Sequence, residues 1–265
     1  MSLARGLAAA LWLGASQAGA ATEGTATERE DCQGLLDRMG WTATSVATPA
    51  GACFFEGVTP EGGGWRARVL ALHGDVDALP DALPSRLTGG VWGLMGGDVE
   101  EAEPDPSRAI TATFDLASGG GVLRIDRLTL RLGETWRADL SARIEALPEV
   151  WPAEPGALSD TRIVSLDGAL WSEMDEGSSE GSGWAALARP WIAALADGGG
   201  PGAASAEAML DALPDARGRL EVALGEAGLR VRDVLPLLRG GLTPDAFADV
   251  VALADLAVDW TPDAP

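Results

Sequence analysis

The stretch from residue 109 to 146 constrains this chain more than any other. Ile110, Ala112, Phe114 and Leu116 alternate with Thr111, Thr113 and Asp115, and Leu128, Leu130 and Leu132 alternate with Thr129 and Arg131. Trp136, Ala138, Leu140, Ala142 and Ile144 then alternate with Arg137, Asp139, Ser141 and Arg143. A strand sends successive side chains to opposite faces, so a period of two held this long specifies antiparallel strands with one apolar and one polar side. Gly119 to Gly121 makes the first turn, and Gly133-Glu134 reads as a two-residue hairpin of the Gly-X kind. Leu123 and Ile125 fall out of phase with Leu128, which puts a β-bulge near Asp126 and Arg127. The product is a three-stranded meander whose apolar side has to be covered.

The flanking segments supply the rest of the architecture. Thr27 with Glu30 forms a capping box, Cys32, Leu35, Leu36 and Met39 share one helical face, and Gly40 ends the helix. Trp65–Leu72 and Arg162–Leu170 read as further strands. Leu220, Val222 and Leu224 alternate, after which Gly225 to Gly228 turns the chain toward Leu229 and Val231. Helices are expected over Trp184–Ala196, where Pro190 should kink the helix or mark its true start, and over Ser205–Leu213. Thr243 caps a last helix that Pro244 opens and that carries Phe247, Val250, Val251 and Ala254; Leu256, Val258 and Trp260 form a closing strand. The expected fold is therefore α+β, a twisted antiparallel sheet with helices on one face. Residues 27–265 read as a single domain, with the glycine-rich segment 198–202 as the one candidate sub-boundary.

Residues 1–20 have the form of a secretory signal peptide. Arg5 is the positive segment, Leu7–Ala15 the short apolar core, and Ala18-Gly19-Ala20 the small-residue cleavage pattern. Residues 21–26 follow as a disordered leader. Cleavage near Ala20 removes one arginine and no acid, so a chain of formal charge −21 becomes one of −22. Nothing later is long and apolar enough to span a membrane. A bacterial periplasm or exterior follows, and in that oxidising setting Cys32 and Cys53, the only cysteines, should pair. In the structure implied, that bridge ties the first helix to the first part of the sheet.

Composition removes several chemistries. All 19 basic residues are arginine, so neither a phosphate-loop lysine nor a Schiff-base lysine exists. Two cysteines and one histidine cannot build a four-ligand zinc site of those residues. With 40 acids the surface is a poor match for nucleic acid. The residues call for no metal and no cofactor, and no catalytic residue is assigned.

Candidate sites are few. Gly177-Ser178-Ser179-Glu180-Gly181 has the G-x-S-x-G order of a nucleophile elbow, but the lone histidine, His73, lies upstream and the sheet reads antiparallel. His73 could act as a base with Asp75 or Asp77 orienting it. The acidic runs Asp98–Glu103 and Glu173–Glu176 lack the order of a calcium loop. Gly89 to Gly97 holds Trp92, Leu94 and Met95 among glycines and reads as a loop, either a mobile apolar lip touching a ligand or partner or a tight loop against the core. Most of the tryptophans fall at inward positions, with Trp151 and Trp184 the exposed pair. The functional expectation is an exported, non-catalytic envelope protein that binds an apolar, lipid-like ligand or a protein partner through a one-sided sheet. The alternatives are a secreted hydrolase or carbohydrate-active enzyme using carboxylates or His73, and a structural subunit of an envelope assembly that pairs through an edge strand.

Overall fold

The computed structural model describes residues 26–96, 109–132, 136–148, 155–172, 181–198, 202–213, 217–234 and 243–262. The signal peptide, leader residues 21–25, the Gly133-Glu134 hairpin, both acidic runs, residues 177–180 of the glycine-serine motif, and Trp151 lie outside them. The described residues are mostly antiparallel sheet with five helices, and the chain divides into two compact units: Met1–Gly133 with Glu149–Ala153, and Glu134–Pro148 with Glu154–Pro265.

The first unit opens with helix α1 (Ala26–Met39), ended as expected by Gly40 at a φ of 64°. Thr27 lies just inside this helix rather than before it. Seven strands follow: β1 (Trp41–Thr42), β2 (Ser45–Ala47), β3 (Cys53–Pro60), β4 (Trp65–Gly74), β5 (Arg86–Gly96), β6 (Ile110–Gly119) and β7 (Val122–Leu132). They pair antiparallel in the order β1-β3-β4-β5-β6-β7, with β2 beside β1 on β3. Gly120 and Gly121 both take positive φ, 58° and 73°, between the paired Gly119 and Val122, which is the two-residue turn that follows the right-handed strand twist. The register slips by one residue between Asp115 and Leu116 and leaves Asp126 as the extra residue. This is the bulge that the phase of Leu123 and Ile125 required, and it lets Ile125 and Leu128 both be buried, at 5% exposure each.

The apolar side of this sheet is buried over much of its length, with Leu94, Ile110 and Leu130 half-buried toward the β5–β7 end. Phe55, Leu70, Leu72, Leu87, Val91 and Phe114 are all 2% exposed or less. Leu35 and Leu36 of α1 are equally buried, and α1 meets β1, β2 and β3. The Cys32–Cys53 disulfide joins that helix to β3 across 5.4 Å between Cα atoms. Arg38 at the end of α1 donates from Nε to the carbonyl of buried Leu79 at 2.9 Å, fixing the helix to the turn at residues 76–79.

The glycine-rich stretch from 89 to 96 is a strand, not a loop. β5 lies between β4 and β6, and its glycines are there because neighbours come close. A Cβ on Gly89 would stand 2.7 Å from the Ala71 carbonyl oxygen, 2.8 Å from Leu72 Cδ2 and 3.1 Å from Phe114 Cζ. Gly93, at a φ of 65°, accompanies a register slip against β6 between Val91 and Leu94, a bulge of the glycine kind. Gly57 on β3, at a φ of 59°, is aligned with Arg68 and so with Gly93 across three adjacent strands. Along this line the inward phase shifts by one residue. Buried positions run 53, 55, then 58 on β3, and 72, 70, then 67 on β4.

The second unit holds β8 (Trp136–Glu145), β9 (Arg162–Ser172), β10 (Gly218–Ala223), β11 (Leu229–Arg230) and β12 (Ala257–Pro262), in the order β8-β9-β10-β12 with β11 also on β9. Its helices are α2 (Gly181–Asp197), α3 (Ala203–Ala212), α4 (Val231–Val234) and α5 (Pro244–Ala254). α2 runs through Pro190 without ending. Gly225 to Gly228 does not reverse the chain: Gly228 N–H donates to the Gly225 carbonyl at 3.1 Å, closing a small excursion after which β11 rejoins β9, the same neighbour as β10. The Thr243 cap forms as expected, its Oγ1 accepting from Ala246 N–H at 3.2 Å. α2 packs on α3 and α5, with Trp191 edge-on to Phe247 at 5.6 Å, and Gly202 at the head of α3 presses against Val258 of β12.

Candidate functional site

In the second unit the alternation builds an apolar side in rows across the strands. One row is Ala138, Leu170, Leu220 and Trp260; the next is Leu140, Gly168, Val222 and Val258. Ala142 and Leu166 begin a third. Burial is uneven across these rows. Leu220, Val258 and Ala142 are 2%, 7% and 8% exposed, whereas Ala138, Leu140, Leu166, Leu170, Val222 and Trp260 are only half-buried. The opposite side of the same strands is charged and paired along each strand: Arg137 with Asp139, Arg143 with Glu145 and Arg219 with Glu221, each at 2.8 Å. The sheet is thus one-sided in chemistry, as the period of two demands.

Gly168 sits in the middle of the less covered part. It alternates with Leu166 and Leu170, so a side chain there would point to the apolar side. Among the described residues, a Cβ built on it meets no side chain within 4 Å, only the main-chain oxygens of Asp139 at 3.7 Å and Val222 at 3.9 Å. Its backbone is ordinary strand without positive φ. Gly168 therefore leaves an opening one side chain wide between Leu140 and Val222, floored by main chain and walled by Leu166 and Leu170. Gly89 in the first unit is the opposite case, a glycine whose Cβ space is already filled. The sequence reading passed over Gly168; its one signal was a glycine interrupting an apolar strand, which often marks a close approach by another group.

The residues singled out from the sequence do not form one cluster. Trp92 is opposite Val69, Met95 opposite Arg66 and Leu94 opposite Ile110, and all three are half-buried. His73 is exposed on β4, opposite Thr88, and no described residue bonds its ring. Asp75 is already engaged: its Oδ2 accepts from Ser85 N–H at 3.0 Å and Ser85 Oγ at 3.1 Å. β9, which precedes the glycine-serine motif, has antiparallel neighbours on both sides, unlike the parallel sheet of a nucleophile elbow. Among the described residues no group of three or more His, Cys, Asp or Glu could hold a metal ion. Among the tryptophans whose side chains are described, none is a fully buried core residue. Trp41, Trp65, Trp92, Trp191 and Trp260 are each half-buried, and Trp41 and Trp65 meet edge-on at 5.5 Å.

The chain matches no protein-family model and no curated protein.

Proposed function

We propose that this is an exported, non-catalytic envelope protein that holds an apolar, lipid-like ligand against the β8–β10 face of its second unit. The observation that carries the reading is the space over Gly168, which no described side chain fills and which half-buried Leu140, Leu166 and Leu170 border. Apolar surface left against water costs roughly 25 cal/mol per Å², so a ligand that covers it gains what folding left unused. An opening one side chain wide suits an acyl chain better than a protein partner, which needs a broad surface.

The Cys32–Cys53 bridge supports the export part, since such bonds persist in oxidising compartments. No helix of the described residues is long and apolar enough to cross a membrane, which is compatible with a periplasmic or secreted product of cleavage near Ala20. We infer further that the helices of each unit lie on the apolar side of its sheet. Burial of Leu35 and Leu36 in α1 and the seat of Gly202 on Val258 support that.

The test is native mass spectrometry of the mature protein purified from its own cell envelope, beside a Gly168→Val variant that fills the opening. The expected result is a bound apolar mass on the natural chain and none on the variant. A bare natural chain, or the same mass on both, would overturn the reading.

A further inference from the structure

The polar side of strands β4–β7 carries charge opposite in sign to the whole chain. Strands β4–β7 hold six arginines, Arg66, Arg68, Arg86, Arg124, Arg127 and Arg131, against two acids, Asp115 and Asp126, in a chain of formal charge −21. Arg86 pairs with Asp115 at 2.9 Å and Arg124 with Asp126 at 3.6 Å. The other four have no carboxylate partner among the described residues. Arg68, Arg127 and Arg131 are exposed and Arg66 is half-buried.

These charges are spread over a surface rather than focused on a point. Three strand spacings put β4 about 14 Å from β7, and four residues put Arg127 about 13 Å from Arg131. Between them lie two apolar side chains on the same side. Trp92 follows Val91, which is 0% exposed and inward, and so takes the outward face. Met95 is the register partner of Arg66, which adjoins the inward Ala67 at 2% exposure. Both are half-buried.

We propose that the outward face of β4–β7 docks on an anionic lipid surface, with the unpaired arginines on headgroup phosphates and Trp92 and Met95 at the interface. Guanidinium groups bind phosphate through paired N–H donors, and tryptophan favours the boundary between headgroup and hydrocarbon. Glu56 of β3, which adjoins this face as the register partner of Val69, is engaged by Ser45 Oγ at 2.7 Å, and charges farther than a Debye length of about 8 Å are screened at physiological salt. A broad array of separated cations around an apolar centre matches a plane of phosphates better than it matches a single acidic peptide. The inference goes beyond the ligand reading and does not depend on it.

The experiment is vesicle co-sedimentation of the mature, disulfide-bonded protein. It compares equimolar phosphatidylglycerol and phosphatidylcholine vesicles with pure phosphatidylcholine, at low and at high salt. Binding is expected only to the anionic vesicles and should fall with salt. Each arginine near such a surface contributes about a fivefold gain in partition, so Arg127→Gln with Arg131→Gln should lower binding about 25-fold. Arg230→Gln, on the second unit, should leave it unchanged. Circular dichroism of the double variant verifies that it is folded.

Absence of binding to anionic vesicles at low salt would overturn the proposal. So would equal loss from Arg230→Gln, or unchanged binding by the double variant. Salt-sensitive self-association abolished by the double variant, without vesicle binding, would give the face to a second copy. Because bound ligand is read by mass and docking by sedimentation, either proposal can fail alone.

Discussion

Two glycines on the apolar sides of internal strands should respond to the same substitution with opposite sign. At Gly168 a valine finds only strand main chain, at 3.7 and 3.9 Å from its Cβ, which is ordinary contact distance. It gains β-propensity, on a scale spanning about 1 kcal/mol, and limits the unfolded chain by about 0.4–1 kcal/mol. Gly168→Val should therefore stabilise the second unit by about 1 kcal/mol. At Gly89 the same Cβ would lie 2.7 Å from a main-chain oxygen of Ala71, with Leu72 and Phe114 closing the other sides. A strand cannot move away from its own neighbour cheaply, so Gly89→Val should destabilise by about 2–3 kcal/mol or more.

The assay is urea unfolding with the disulfide intact, followed by far-ultraviolet circular dichroism. At a slope of about 2 kcal/mol per molar, the midpoint should rise by about 0.5 M for Gly168→Val and fall by more than about 1 M for Gly89→Val. If the two units melt apart, each shift should appear in its own transition. A loss of more than about 1 kcal/mol in Gly168→Val would refute the reasoning. It would mean that the space over Gly168 is already used by the fold, and the ligand site would lose its basis.

Burial across the same face predicts a graded response. Leu220→Ala, at a position 2% exposed, should cost about 3 kcal/mol, while half-buried Leu140→Ala should cost about 1 kcal/mol; equal costs in urea unfolding would mean a fully closed face. Opening the Cys32–Cys53 bridge, whose partners are 21 residues apart, should cost about 3 kcal/mol by loop entropy, read as a midpoint shift between Cys32→Ala/Cys53→Ala and the natural chain. Thr243→Ala removes the acceptor for Ala246 N–H and should destabilise α5 by about 1 kcal/mol, measured as faster amide exchange over its first turn.

The elements legible in the sequence were those governed by local rules. β6 and β7, the Gly120-Gly121 turn, the bulge at Asp126, the cap at Thr243 and the Cys32–Cys53 bridge all follow from periodicity, turn chemistry or cysteine count. β5 was illegible because its glycines answer to neighbours distant in sequence. Gly89 makes room for Leu72 and Phe114, and Gly93 belongs to a phase shift shared with Gly57 and Arg68. Read locally, such a segment has the composition of a loop. The same shift separates Trp92 from Leu94 on the two sides of the sheet, so neighbours in sequence became strangers in space. Gly168 escaped notice for the reverse reason: nothing local distinguishes a glycine that admits a neighbour from one that leaves a space.

Helix number alone would assign the open face to the wrong unit. Among the described residues the first unit has one helix for seven strands, while the second has four helices for five strands and still leaves Ala138, Leu140, Leu166 and Leu170 of β8 and β9 half-buried. The difference lies in what the helices cover. α1 meets β1, β2 and β3 directly, pinned by the disulfide and by Arg38 on Leu79. In the second unit α2 spends its contacts on α3 and α5, and the principal helix–sheet contact is α3 on the outermost strand, β12. Gly198 fixes that arrangement, since a Cβ there would stand 2.7 Å from Val251 Cγ1 of α5, and Gly202 fixes its seat on Val258. A helical layer held by close glycine contacts at one end of a sheet cannot slide across to cover the other. In the ligand reading proposed above, the half-buried apolar residues beyond β10 are covered by the ligand, and the space over Gly168 is where the least rearrangement admits it.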